Sequence, residues 1–247
     1  MSVPNLRLMT TTTRTRPAPA VHTTTAPGRT NVRVSGIFYL ITFVSSIPAL
    51  LLLSPVLNDP GFILGAGSAT AVRWGGLLDF VNALAGVGTA VAVFPVVKRY
   101  HESLALGFVA TRLIEAAVIM TGVVSLLAVV TLRTDAAGGV GTGQALVAVR
   151  DWTFLFGPGF MACLNAALFG TLLLRARLVP RIIPAVGLIG APLLLAANVA
   201  TVFGHNAQVS GVSMLATLPV AGWELAIGVW MVVKGLRTTD DDAPPAR

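Results

Sequence analysis

Apolar residues along this chain neither alternate nor form narrow stripes; they gather in six nearly continuous runs. These lie at about residues 34–57, 74–97, 104–131, 152–174, 182–203 and 213–234. Each approaches the roughly 20 residues that a helix needs to cross the hydrocarbon of a bilayer. A membrane β-barrel would show short segments of alternating character instead. The pattern predicts an all-α membrane protein, a bundle of six transmembrane helices. The third run is longer than the bilayer requires, so that helix is expected to tilt or protrude.

The few polar residues inside these runs carry the candidate chemistry. Arg112 and Glu115 stand three apart in LALGFVATRLIEAAVIMTGVVSLLAVV, which places them on one face of a helix. Ionisable side chains at membrane depth are costly and turn toward the bundle interior, so their partners are sought on other helices. Asp79, Glu224, Asn82, Asn165 and Asn198 are the candidates. At about 1.5 Å of rise per residue, Glu115, Asn82, Asn165 and Glu224 fall near the midplane. Asp79 and Asn198 fall nearer one face, and Arg112 nearer the other. The expected site is a shared polar interior of Arg112, Glu115, Glu224, Asp79, Asn82 and Asn165. Arg112 is the sole cation read inside the spans, against the carboxylates of Asp79, Glu115 and Glu224. Protons, bound cations or water must relieve that surplus of negative charge.

Breakers and tails complete the outline. Gly157-Pro158-Gly159 interrupts the fourth run and reads either as a broken helix with exposed amides or as an ordinary kink or late helix start. The stretch 132–151, LRTDAAGGVGTGQALVAVRD, predicts a long, flexible loop. Residues 1–33 are rich in Thr, Pro and Arg, contain no acid and have little to bury, which predicts a disordered tail. A second short tail is expected at 238–247, leaving 34–237 as the transmembrane domain.

Composition sharpens the class. Only 11% of the 247 residues are charged and mean hydropathy is +0.81, whereas soluble domains carry roughly a quarter charged residues. Cys163 is the single cysteine, which excludes an intramolecular disulfide and a CxxC motif. The net charge of +7 does not point to nucleic acid, because the basic residues are scattered between apolar runs. It follows membrane topology instead. Arg73, Arg133 and Arg150 fall on one side and Arg112 within a span, and the other thirteen of the seventeen basic residues fall on the opposite side. The positive-inside bias predicts that both termini are cytoplasmic, in a cell (inner or plasma) membrane. Arg175, Arg177 and Arg181 form a basic patch suited to anionic lipid headgroups, so the bilayer is the expected partner.

The segments HESLALGFVATRLIEAAVI, DWTFLFGPGFMACLNAALFG, LVPRIIPAVGLIGAPLLL and WELAIGVWMVVKG together resemble a bacterial integral membrane family catalogued as domain of unknown function 4386. The resemblance spans about residues 33–237. Arg112, Glu115, Gly157, Pro158, Asn165, Pro180, Arg181, Gly187, Gly190 and Glu224 fall on its recognisable positions. It implies a membrane protein and no particular activity.

Enzyme motifs are missing from the sequence. There is no HExxH and no GxSxG, and the GVGTG piece lacks the Lys-Ser/Thr of a phosphate loop. No metal and no cofactor is expected. Intramembrane carboxylates mark ion and proton pathways, which favours a small-solute or proton/cation-linked transporter. The alternative is a membrane-embedded regulatory or interaction protein, in which the same residues only fix packing. An integral-membrane enzyme is the least favoured reading.

The charge asymmetry yields a topological test. Alkaline phosphatase fused after Gly138 or Asn206 should be active, and fused after Arg177 or Arg237 inactive. The reverse pattern would invert the predicted orientation.

Overall fold

The structure, a computed structural model, describes residues 26–237. It is all helical among these residues, and six helices are long and apolar enough to cross a membrane. They are α1 (Ala26–Asn58), α2 (Ala69–Val97), α3 (Glu102–Thr134), α4 (Val140–Arg175), α5 (Ile182–Val202) and α6 (Gly211–Val233). A short 3-10 turn, Pro60–Leu64, links α1 to α2. The chain is a multi-pass membrane protein.

Each helix packs on its neighbour in sequence, and α6 closes back on α1. The result is a ring of six. The start of α1 lies beside the end of α2, where a Cβ on Gly28 would touch Val96. The described chain ends with the Arg237 amide donating to the Leu178 carbonyl in the α4–α5 turn. Both described ends therefore share one end of the bundle, called the base below; the opposite end is the crown.

Two apolar clusters fill the ends of the ring unequally. At the base, Tyr39, Phe108, Phe169 and Trp223 stack into an aromatic layer, with Phe108 and Phe169 parallel at 4.5 Å. Toward the crown, Leu53, Val56, Phe62, Val72, Leu126 and Val130 pack α1, α2, α3 and the 3-10 turn, with Leu146 and Val147 of α4 against them. Arg133 pins that turn by donating to the carbonyls of Gly65, Ala66 and Gly67. The middle of the ring is left for polar side chains.

Close helix contact is made by glycine, as membrane interfaces require in the absence of a hydrophobic drive between helices. On α1, a Cβ at Gly36 would sit 2.8 Å from the Gly228 carbonyl oxygen of α6, so neither helix can carry a side chain there. Gly187 of α5 makes room for the buried Trp223 ring in the same way. Trp223, the neighbour of Glu224, is thus a packing residue.

Three expectations need correction. The first helix begins at Ala26, inside the predicted tail of 1–33, and Val32 is buried in the base cluster, so this stretch does have something to bury. Residues 1–25 and 238–247 of the predicted tails lie outside the described residues. The loop predicted at 132–151 closes early: Gly139 takes an extended conformation and α4 starts at Val140. After the glycines, QALVAVRDW is a good helical segment, and nothing in it breaks the turn. A tyrosine near the start of a predicted span is expected in an interfacial aromatic belt, yet Tyr39 is fully buried.

Gly36→Ala should lower the melting temperature in detergent, by the equivalent of about 1–3 kcal/mol for overpacking against backbone. Gly222→Ala, where an added Cβ meets nothing within 4 Å, is the control and should hold or slightly raise it, since alanine favours the helix. Equal responses at both sites would show that α1 and α6 do not touch there.

Candidate functional site

Arg112 lies on the first half of α3, and its guanidinium is shared by two carboxylates. Nη1 donates to Glu115 Oε2 at 3.0 Å along the same helix face, as the three-residue spacing demands. Nη2 donates to Glu224 Oε1 at 2.6 Å, which ties α3 to α6. Rings of Tyr39 and Phe108 lie against the guanidinium, 5.2 and 5.7 Å from it. A cation between aromatic faces is favoured most where water is scarce.

Asn165 of α4 orients this group. Its Nδ2 donates to Glu115 Oε2 at 2.7 Å, and its Oδ1 accepts from Thr111 Oγ1 at 2.5 Å. The hydroxyl supplies the proton on one side and the carboxylate accepts on the other, so the amide is held in one orientation. Thr111 was not singled out in the sequence, although it precedes Arg112 directly.

A second ion pair lies nearer the crown. Arg150 Nη2 donates to Asp79 Oδ2 at 3.0 Å, and both side chains are buried. Each stands ten residues inside a helix that starts at the crown, so both lie about 15 Å down by helical rise. The matched depth is what lets them meet. Phe154 covers the guanidinium at 4.8 Å. This overturns two expectations. Arg150 is not in an outer loop, and Asp79 is paired with it rather than with Arg112. The physical reason is the early start of α4, which draws Arg150 into the bundle.

One cavity of about 310 Å³ joins both groups, lined by residues of all six helices. Asp79, Asn82, Arg112, Glu115, Arg150, Asn198 and Glu224 all border it. Of the predicted set only Asn165 does not line it, holding Glu115 from behind. The half-buried Asn82 has an amide without a partner among the described residues. Asn198 reaches the Cys163 sulfur only at 3.9 Å. Each carboxylate binds its arginine through one oxygen. The other oxygens of Asp79, Glu115 and Glu224 accept nothing from the described residues. Three carboxylates face two arginines, Arg112 and Arg150, so the surplus is one negative charge, not two. It belongs to the Arg112 group, because the Asp79–Arg150 pair is balanced.

The cavity wall beside α3 is built by a change of helix type. Leu155–Met161 forms a π-helical turn around Pro158. Proline has no amide hydrogen for the α-helical ladder and its ring crowds the preceding turn; a π turn absorbs both. The motif is therefore neither a break nor a simple kink. Gly157 backs onto α3, where a Cβ would lie 3.2 Å from Val118 and 3.6 Å from the Glu115 carbonyl oxygen. Gly159 leaves room for the Asn198 amide. No group of three or more His, Cys, Asp or Glu among the described residues is placed to hold a metal ion.

Comparison with known proteins agrees with the resemblance in the sequence. A family model described as Domain of unknown function (DUF4386) matches residues 34–235. The chain belongs to that family. The matched DUF4386 region contains both ion groups, the π turn and the whole cavity lining. No curated protein and no solved structure matches the chain.

The second ion pair can be tested by a double-mutant cycle on detergent melting. Arg150→Gln strands Asp79 and should cost about 3–5 kcal/mol, the usual penalty for breaking a buried pair. Asp79→Asn placed on top should restore much of the loss. Small, additive effects would mean that the two side chains face water.

Proposed function

We propose that this protein is a proton- or cation-linked transporter of a small solute, with the central cavity as its binding site. The observation that carries the reading is the unbalanced Arg112 group. A purely structural ion pair is complete with one carboxylate per arginine. Here Arg112 serves both Glu115 and Glu224, and each carboxylate keeps a free oxygen beside the cavity. At membrane depth an uncompensated charge is expensive, so a proton or a cation occupies that place in the resting protein. Its exchange is the chemical step that the geometry offers. The cavity lies at the low end of the range for small-molecule sites, roughly 300–1,000 Å³. In the resting form the aromatic layer under Arg112 seals the base, as one state of an alternating-access cycle requires.

In this reading both termini are cytoplasmic and the protein resides in the cell (inner or plasma) membrane. The basic residues Lys98, Arg99, Arg175, Arg177, Arg181 and Lys234 cluster at the base turns, where they meet anionic headgroups of the cytoplasmic leaflet.

Single substitutions separate transport from packing. Glu115→Gln or Glu224→Gln leaves Arg112 with one carboxylate, a balanced pair, so melting should stay close to the wild type. Arg112→Gln leaves two carboxylates stranded and should unfold the protein at much lower temperature. In proteoliposomes, wild-type protein should take up protons in a pH-dependent way when offered its solute, screened among small organic cations. Both glutamine variants should be folded and inactive. If the glutamine variants lose as much stability as Arg112→Gln, the group is a packing device and the transporter reading fails.

A further inference from the structure

The cavity has a mouth, and its position follows from the seam between α1 and α6. Near the base the two helices touch through Gly36 and Gly228. Followed toward the crown, the same stripe of α1 continues through Phe43, Ile47 and Leu50. The same stripe of α6 continues through Glu224, Ala221 and Thr217. These residues no longer face a partner helix; they line the cavity. The helices therefore part above the glycine contact. Only three cavity-lining residues are exposed, and all three lie on this seam: Ile47 and Leu50 on α1 and Thr217 on α6. By helical rise Thr217 lies about 9 Å below the start of α6, and Leu50 about 12 Å below the end of α1. Both depths fall within the hydrocarbon of a ~30 Å core. The opening gives onto lipid.

We infer that the site takes an amphiphilic organic cation, entering sideways from the bilayer between α1 and α6. This rests on the transporter reading and adds the substrate class and the route. The charge at the end of the path selects the head group: Glu224 stands on the α6 stripe one turn beyond Ala221, shares Arg112 with Glu115, and belongs to the group with the surplus negative charge. An ammonium head neutralises that surplus, whereas a carboxylate or sulfate adds to it. The mouth selects the tail. Phe43, Ile47, Leu50 and Val220 offer an apolar passage that a short alkyl chain fills while still in contact with lipid. A strongly hydrated small cation gains nothing from such a route.

Cys163 supplies the readout, because the only cysteine is buried and reacts with a fluorogenic maleimide only on unfolding. The full chain in lipid nanodiscs is melted with octyltrimethylammonium, tetramethylammonium or octanoate. Octyltrimethylammonium should raise the melting temperature by about 5 °C at roughly a hundredfold excess over its Kd. Octanoate should not raise it, and tetramethylammonium should raise it far less. Glu224→Gln should abolish the shift. Ile47→Trp, at a position already 60% exposed, should fill the mouth and reduce the shift without lowering the basal melting temperature. If Ile47→Trp itself misfolds, Leu50→Trp takes its place. Equal shifts with tetramethylammonium, unaffected by the tryptophan, would overturn sideways entry and leave the cation site standing. A shift with octanoate, or none with either ammonium ion, would overturn the cation site and with it the transporter reading.

Discussion

An arginine inside a membrane bundle has to find its hydrogen-bond partners within the protein, since the lipid offers none. Here that demand fixes the relation of three helices. Arg112 binds Glu115 on its own helix and Glu224 on α6. Glu115 in turn accepts from Asn165 on α4, whose oxygen is satisfied by Thr111 back on α3. Sliding any of these helices by one turn would break at least one charge-assisted bond in a medium where an unpaired charge is least tolerated. The register of the bundle is therefore set by polar contacts, and the glycine seams and aromatic layer pack around a register already chosen.

The same constraint explains why the interior is not simply filled. Two ion pairs at different depths keep apolar side chains away from the space between them, and the closed ring leaves few contacts across it. What remains is a cavity whose floor is Arg112 on its aromatic layer and whose side is the gap between α1 and α6. That gap begins above the glycine contact. Gly36 and Gly228 draw the helices together at the base, and from there toward the crown the residues on the same stripes line the cavity instead.

Much of this was legible in the sequence, and what escaped did so for physical reasons. Six spans and the Arg112–Glu115 face follow from hydropathy and helical spacing alone, because a bilayer admits few alternatives. Glu224 and Asn165 were legible as candidates, since polar residues in such runs have few places to point. Arg150 was missed because four glycines, Gly138, Gly139, Gly141 and Gly143, pushed the start of α4 too late. Its ten-residue depth, equal to that of Asp79, was the signal available once the helix start was moved. A tyrosine near the start of an apolar run commonly sits at the interface; only the tertiary contact with Arg112 shows why Tyr39 does not.

The π turn at Leu155–Met161 joins these points. A regular α-helix through Pro158 would have to give up a backbone hydrogen bond and bend sharply, in a place where no water can replace the bond. Widening the turn keeps the helix continuous, and it shifts the angular position of everything that follows relative to everything before. Arg150 and Phe154 lie before the turn, and Asn165 and Phe169 after it. Both halves nevertheless present their polar residue to the interior: Arg150 to Asp79, and Asn165 to Glu115. Fifteen residues separate the two, which on an uninterrupted helix of 3.6 residues per turn leaves them about 60° apart. The extra residue of a π turn changes that angle, so Pro158 sets how the two ion groups face one cavity. The proline is a positioning element, and the two glycines beside it let the widened turn lie against Glu115 and Asn198 without a collision.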